Sequence, residues 1–599
     1  MSQQILHYAL SLSNWRAHEF TVSISIPSHH TDTLTLALPS WIPGSYMVRD
    51  FAKNIITLSA KCEISNSLLA AEKRDKQTWV VDSKGKACVI EYVVYANDLS
   101  IRSAFINDQY GFINGTSAFL QVSELENAAC HLDVNLPDAD EHVANWQTYT
   151  SMPVRDITDT QKSWHFHCAD YSEFIDHPIY IGIADTYQFD VDNVTFTLLF
   201  SGNNNIDYAR IARDLTPICQ HHLNLFGKPY PVENYLFMTL LADNGFGGLE
   251  HNYSTALLYP RFDLPMVGES DKKTDSYITF LSLCSHEFFH TWHVKRIKPS
   301  VMVMPNLASE TYTNQLWIYE GFTSFYDDLT LARKGVIEPH KYLDILAQNI
   351  SRLLQNNGRK KQSVAQSSFD AWTKFYKQDA SATNNIVSYY TKGGIIAFGL
   401  DLLLRKESDN TVSLDSLMQL LWEHYGKQVV GTPDSVIQTL CLEHFNIDVM
   451  PYLNRVVYGT EDVALSELVG LIGLSYHTRA STSFEDKGGA VSSSAIKHQF
   501  GATLKPASLG LTVVQVFEGL AAMQSGILLN DIVIALDGHV VNLAKLQRLL
   551  DSAQRKTVEI TLIRDGRLLC VDLPIIPARQ DMAYFKVVDS EKLNAWLTK

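Results

Sequence analysis

The chain has 599 residues, 46% of them hydrophobic, enough apolar mass for several cores and for three or four domains. Its 49 Lys and Arg against 65 Asp and Glu leave a formal charge of −16, which argues against nonspecific binding to nucleic acid or to an anionic membrane, because both need basic surface. No uncharged apolar run approaches the roughly 20 residues of a membrane span. The eight cysteines (62, 88, 130, 168, 219, 284, 441 and 570) form no CxxC pair and no short-spaced framework, so they are expected as reduced, mostly buried thiols. The stretch from Met1 to His7 lacks a basic region followed by an apolar one, so no signal peptide is expected and the location expected is cytoplasmic. Sequons such as Asn114-Gly-Thr then carry no meaning.

Residues 1 to about 175 read as β. Val22, Ile24 and Ile26 alternate with Thr21, Ser23 and Ser25; Leu34, Leu36 and Leu38 do the same, as does Val89 to Val94. Short runs of period two, separated by Gly, Pro, Asn and Asp, predict an antiparallel sandwich. Within them Pro39 to Phe51 breaks the strand pattern with Pro and Gly, and its aromatics predict a structural loop, with packing toward the active site as the second reading.

From about 176 the pattern changes. Thr195 to Phe200 reads as a strand, Asp207 to Leu225 as a helix ended by Gly227, and Tyr235 to Leu241 and Thr255 to Leu258 as apolar strands. Between the last two lies Asp243-Asn-Gly-Phe-Gly-Gly-Leu-Glu-His251. A glycine-rich, edge-like segment with Gly247, Gly248 and Glu250 can let a substrate backbone pair alongside it. Helices are predicted over Tyr277 to Trp292, Thr313 to Lys334, His340 to Leu354, Val387 to Arg405 and Leu414 to Trp422, with Thr432 and Pro433 starting another as N-cap and first-turn proline. Lys360 to Asp379 is polar and expected as a long loop, and 478 to 500 as a linker or flexible loop. Beyond it Leu511 to Phe517, Ile532 to Leu536 and Val558 to Ile563 read as strands, Leu543 to Leu550 as a helix, and Asp537-Gly538 and Asp565-Gly566 as turns.

The chemistry centres on Ser285-His286-Glu287-Phe288-Phe289-His290. On a helix, positions i and i+4 share a face one turn apart, so His286 and His290 can offer two imidazoles to one metal ion, while Glu287 can reach a metal-bound water. This is the arrangement of zinc hydrolases, two His ligands with a Glu as general base. The competing reading is a buried helix with two satisfied histidines. A hydrolytic zinc normally takes three protein ligands. The candidate third is Glu320, in Leu316-Trp-Ile-Tyr-Glu-Gly-Phe-Thr-Ser-Phe-Tyr-Asp327, where a carboxylate among Leu316, Trp317, Phe322 and Phe325 is costly to bury unless paired or metal-bound. Asp327, seven residues on along the same face, is either a solvated helix residue or the acceptor for the second ring N–H of a ligand histidine.

With these motifs the chain resembles the gluzincin metallopeptidases, in particular the aminopeptidase N superfamily. Gly247-Gly-Leu-Glu-His251 resembles that superfamily's exopeptidase motif, and the resemblance implies that Glu250 holds the substrate α-ammonium. Tyr390-Thr-Lys-Gly393 matches its tyrosine motif, which implies that Tyr390 donates a hydrogen bond to the developing oxyanion; Tyr389 ranks second. His251 and Tyr319 each stand where the superfamily has Asn, and the gap from His290 to Glu320 is longer. The chain resembles more closely the glycyl aminopeptidase family, its PDZ-containing branch, in Trp41-Ile-Pro-Gly-Ser-Tyr46, in His286-Glu-Phe-Phe-His-Thr-Trp292 and in a carboxy-terminal module with Leu509-Gly-Leu511, Gly519-Leu-Ala-Ala522 and Asn530-Asp-Ile-Val533.

The resemblance implies a multidomain α+β protein: an N-terminal β-sandwich (1–175), a thermolysin-like catalytic domain (176–335), an α-helical domain (336–475) and a PDZ module (476–599). It implies one Zn2+ per chain held by His286, His290 and Glu320, with Glu287 and Tyr390 catalytic and Gly247, Gly248 and Glu250 binding peptides with a free amino terminus, small first residues such as Gly or Ala among them. The PDZ module would take a carboxy-terminal peptide at Leu509 to Leu511, or pack on the body and bind nothing. Two further readings stay open: a scaffold acting through its PDZ module, and a zinc endopeptidase, which would have no use for Glu250.

Overall fold

The computed structural model describes residues 4–137, 140–143, 145–157 and 163–598, and the chain forms two compact units, Met1–Thr311 with His424–Gly431, and Tyr312–Glu423 with Thr432–Lys599. The first unit begins as a β-rich body, because the alternation seen in the sequence puts every second side chain of Glu19–Ile26 into the core. An eight-stranded sheet carries Ile5–Asn14 at its middle, flanked by Glu19–Ile26 and by Ala129–Asn135. The pairing of Ile5–Asn14 with Ala129–Asn135 is parallel, the one departure in that sheet from the antiparallel pattern expected. Two four-stranded sheets share its core.

The same core continues into a five-stranded mixed sheet through Leu199, Leu236, Met238, Leu240, Leu249 and Ala256. Its order is Ala184–Val191, Val194–Ser201, Asn234–Ala242, Ser254–Pro260 and, at the edge, Gly247–Glu250. The three inner strands run parallel and read as near-continuous apolar runs, as strands covered on both faces do. Helix Tyr208–Phe226 is capped by the Asp207 side chain on Arg210 N, and helix Asp275–Phe289 by Thr274 on Tyr277 N. Phe288 packs edge-on against Phe196 and Tyr235 of the sheet, which pins the second helix beneath it.

The second unit starts with helices Leu316–Arg333, Pro339–Gln355 and Thr391–Glu407. Its carboxy-terminal helix Ser590–Thr598 ties back through Trp596, whose indole N–H donates to Asp401 at 2.9 Å beside Arg405. The PDZ sheet runs Ala502–Ala507, Gly510–Val516, Ile532–Leu536, Thr557–Arg564 and Arg567–Pro574, closed by helix Leu543–Ser552 with Asn542 as its cap. Among the described residues no helix is long and apolar enough to cross a membrane.

Three expectations need correction, and a fourth, the irregular segment after Arg479, gains detail. The stretch expected as a loop, 360 to 379, contains helix Val364–Phe369 and a further turn, Ala371–Phe375. Its polar residues are internally satisfied: Ser363 and Gln366 form a capping box, and buried Ser367 and Ser368 donate to Val387 O and Val364 O. Thr432 is not an N-cap. It is buried, hydrogen-bonded to Gln315 and Tyr319, and the helix begins at Val436. The segment 480 to 501 has no regular element, yet Asp486 organises it: Arg479 donates to it at 2.6 and 3.0 Å, and the backbone N–H groups of Thr482 and Gly488 add two bonds. Finally, Leu509 to Leu511 is no open loop. Ala507 pairs with Gly510 across a tight hairpin, and Leu511 pairs with Pro506 on one side and Val533 on the other. The edge strands of that sheet are Ala502–Ala507 and Arg567–Pro574.

Candidate active site

Helix Asp275–Phe289, with His290 as its C-cap, carries His286 and His290 one turn apart, and their Nε2 atoms stand 3.0 Å from each other. His290 Nδ1–H donates to His293 O at 2.7 Å, which fixes the ring and its tautomer with Nε2 turned toward His286. That acceptor, a backbone carbonyl three residues on, was not foreseen; for this ring it fills the place expected of Asp327. His286, His290 and Glu320 each offer a ligand atom, and these atoms all lie within 4.8 Å of one another.

Glu287, 4% exposed, rises beside the edge strand. A Cβ built on Gly248 would lie 1.9 Å from its Oε1, so only a glycine at 248 admits the carboxylate there. The register of that strand follows from one bond, His251 N to Ser254 O. In an antiparallel ladder alternate residues face the partner, so His251, Leu249 and Gly247 turn their amides inward to Ser254–Pro260. Gly248 and Glu250 turn theirs to the free edge. Gly247 therefore offers a substrate room rather than hydrogen bonds.

Glu250 is also 4% exposed, and its Oε1 has no hydrogen-bond partner among the described residues. The carboxylate lies flat on Gly44, whose φ is +96°; a Cβ there would meet Oε1 at 2.1 Å. The loop carrying Gly44 is held by Trp41, fully buried, whose indole N–H lies 3.0 Å from Asn306 O and 2.8 Å from Ser309 O. Behind Glu250 sits a buried ionic group. Lys295 and His251 hold Asp176 ionised, well below the usual carboxylate range despite its burial, with Lys295 Nζ at 2.7 Å. Burial and the neighbouring Lys295 push Lys298 down to about 8, against the opposing pull of Asp176 and Glu250.

In the second unit, Gly321 and Gly393 bring two helices into backbone contact: a Cβ on Gly321 would lie 2.6 Å from Gly393 Cα. Gly321 directly follows Glu320 and Gly393 lies three residues after Tyr390, and the approach they permit puts the Tyr390 hydroxyl within the electrostatic reach of Glu320. Burial first, then Glu320, Tyr376 and Tyr389, push the Tyr390 pKa well above its ordinary value. Its hydroxyl lies 3.1 Å from that of Tyr376. Tyr390 is the N-cap of helix Thr391–Glu407 rather than inside it.

Residues 7–183 match the model of the peptidase M61 N-terminal domain, 279–396 that of M61 glycyl aminopeptidase, and 499–575 that of the PDZ domain. No curated protein matches the chain. Among solved structures, an aminopeptidase N family protein from Idiomarina loihiensis is 35% identical, with 99% of this chain and 100% of that one covered and a TM-score of 0.94. An M1 zinc metallopeptidase from Deinococcus radiodurans is 12% identical, with 74% of this chain and 90% of that one covered and a TM-score of 0.44.

Proposed function

The chain belongs to the M61 glycyl aminopeptidase family and is a metallo-aminopeptidase; on that premise we propose that it removes single small residues, Gly or Ala, from the free amino end of peptides, with one zinc ion per chain held by His286, His290 and Glu320. The donor set suits the ion: two imidazoles and one carboxylate are what a hydrolytic zinc site uses. The fixed tautomer of His290 and the 3.0 Å spacing of the two Nε2 atoms support it.

When bound, zinc polarises the scissile carbonyl and acidifies the attacking water. Glu287 takes the proton of that water and carries it to the leaving amine. The hydroxyl of Tyr390, protonated at neutral pH as tyrosines are, donates to the developing oxyanion. The amide groups of Gly248 and Glu250 at the free edge orient the substrate backbone.

The observation that carries the aminopeptidase reading is Glu250. A buried carboxylate oxygen with no partner is costly, and a substrate ammonium removes that cost. The PDZ module is assigned an extended peptide along the free edge of Ala502–Ala507. All eight cysteines are free and seven are buried, which supports a reducing, cytoplasmic setting.

The test is a panel of aminoacyl anilides, Gly and Ala included, each also offered amino-acetylated. Turnover of the free amines alone, fastest for the small residues, is expected. Equal turnover of the acetylated set would make the chain an endopeptidase.

A further inference from the structure

Arg102 belongs to no part of the machinery described so far, yet its guanidinium stands on the substrate edge. Its loop is fixed from within: Arg102 N donates to Ser100 Oγ at 3.1 Å, and buried Asn114 bonds Ser103 O through its backbone at 3.0 Å. From there Nη2 donates to Gly248 O at 2.8 Å, and Nη1 lies 3.4 Å from where a Cβ of Gly247 would be. Gly248 O is the edge-facing acceptor that a neutral peptide N–H would otherwise use. Nε is buried without a partner, and no carboxylate pairs with Arg102 among the described residues. A half-buried guanidinium that spends one N–H on a neutral carbonyl keeps its capacity for planar recognition of a carboxylate.

Spacing says which carboxylate. A substrate antiparallel to Gly247–Glu250 begins at Glu250 and runs toward Gly248, two residues or about 6.8 Å along the strand. Two extended residues of a peptide span at most about 7 Å. We propose that the preferred substrates are dipeptides, and that Arg102 binds their terminal carboxylate while Glu250 binds their ammonium. This rests on the aminopeptidase reading above and deepens it by naming the substrate class. A longer peptide places a neutral backbone amide against Arg102 and leaves the cation uncompensated.

The experiment compares kcat/KM for Ala-Ala, its carboxy-terminal amide and Ala-Ala-Ala-Ala in the wild type, Arg102→Gln and Arg102→Lys, with Ala anilide as the reference substrate. A charged hydrogen bond gained by the free acid predicts an acid-to-amide ratio of about tenfold to a hundredfold in the wild type, carried mainly by KM. In Arg102→Gln the ratio falls to about 1, and in Arg102→Lys it is partly restored. A wild-type ratio near 1, or a ratio unchanged in Arg102→Gln, overturns the assignment. The wild-type ratio needs no variant, so a variant that fails to fold leaves the proposal testable. Amine-selective turnover with equal rates for acid and amide would sink the dipeptide proposal alone; no turnover of Ala anilide or of any free peptide would sink the aminopeptidase reading with it.

Discussion

Replacing Gly248 by alanine isolates the role of Glu287. The new Cβ would lie 1.9 Å from Glu287 Oε1, 2.4 Å from Cδ and 2.8 Å from Cγ. Real Cβ contacts essentially never fall below 3.0 Å, so the carboxylate oxygen must withdraw by about 1.1 Å. The backbone itself tolerates the change: Gly248 lies in a strand with no positive φ, and Gly to Ala at such a position stabilises by about 0.4–1 kcal/mol through the unfolded chain. The cost therefore falls on the general base. A misplacement of about 1 Å at a reacting group costs about 100-fold, or roughly 2.7 kcal/mol of barrier. The assay is kcat/KM on Ala anilide, with zinc content and thermal midpoint measured on the same sample. The expected result is that loss of rate with full zinc and a thermal midpoint within a few degrees of wild type. Wild-type turnover would refute the placement of Glu287 as the base held beneath the edge strand. Loss of zinc or of the fold would mean that the strand, not the base, had moved.

Glu287→Gln is expected to lower kcat by about 10²- to 10⁴-fold with zinc retained, measured by single-turnover kinetics and metal analysis. Tyr390→Phe should lower kcat by about 10²- to 10³-fold with little change in KM, as loss of one oxyanion donor does. Gly44→Ala combines a positive φ with displacement of Glu250; it should cost about 1–2 kcal/mol in urea unfolding and narrow the preference for free over acetylated amines. Acid should destabilise the fold through His177. Burial lowers its pKa to about 4, so between pH 6.5 and 4 the unfolded chain holds a proton that the native state does not. Stability is therefore full above pH 6.5 and falls as the pH drops to 4, by up to about 3 kcal/mol from this group. A urea midpoint that stays flat over that window would contradict it.

The parts legible in the sequence were those set by local pattern. The helix predicted at Tyr277 to Trp292 is found at Asp275–Phe289, because its apolar period and its Thr274 cap are both local. Asp537-Gly538 and Asp565-Gly566 turn as expected, with both residues of each pair at positive φ, the requirement of a tight hairpin turn. Helix Val364–Phe369 escaped because its composition is polar, although Ser363 and Gln366 stood at capping-box spacing. Leu509 to Leu511 misled because Leu-Gly-Leu resembles a carboxylate loop, whereas here Gly510 (φ +154°) packs its Cα on Val533 O inside the sheet. What no local pattern carries is contact over long separations. Arg102 meets Gly248 across 146 residues, and Gly44 meets Glu250 only once the Trp41 loop has docked. Gly321 and Gly393 could be recognised as neighbours of candidate residues, but that they touch each other emerges from the packing of two helices.

A zinc ion held by His286, His290 and Glu320 is expected to drive removal of amino-terminal residues. The most direct measurement is a zinc titration of chelator-stripped protein, following Ala anilide hydrolysis and bound metal together. Activity that is abolished by chelation, rises in proportion to zinc and saturates at one ion per chain, and that fails to return in Glu320→Ala, is the predicted result. Activity that survives chelation, or that returns fully in Glu320→Ala, would contradict it.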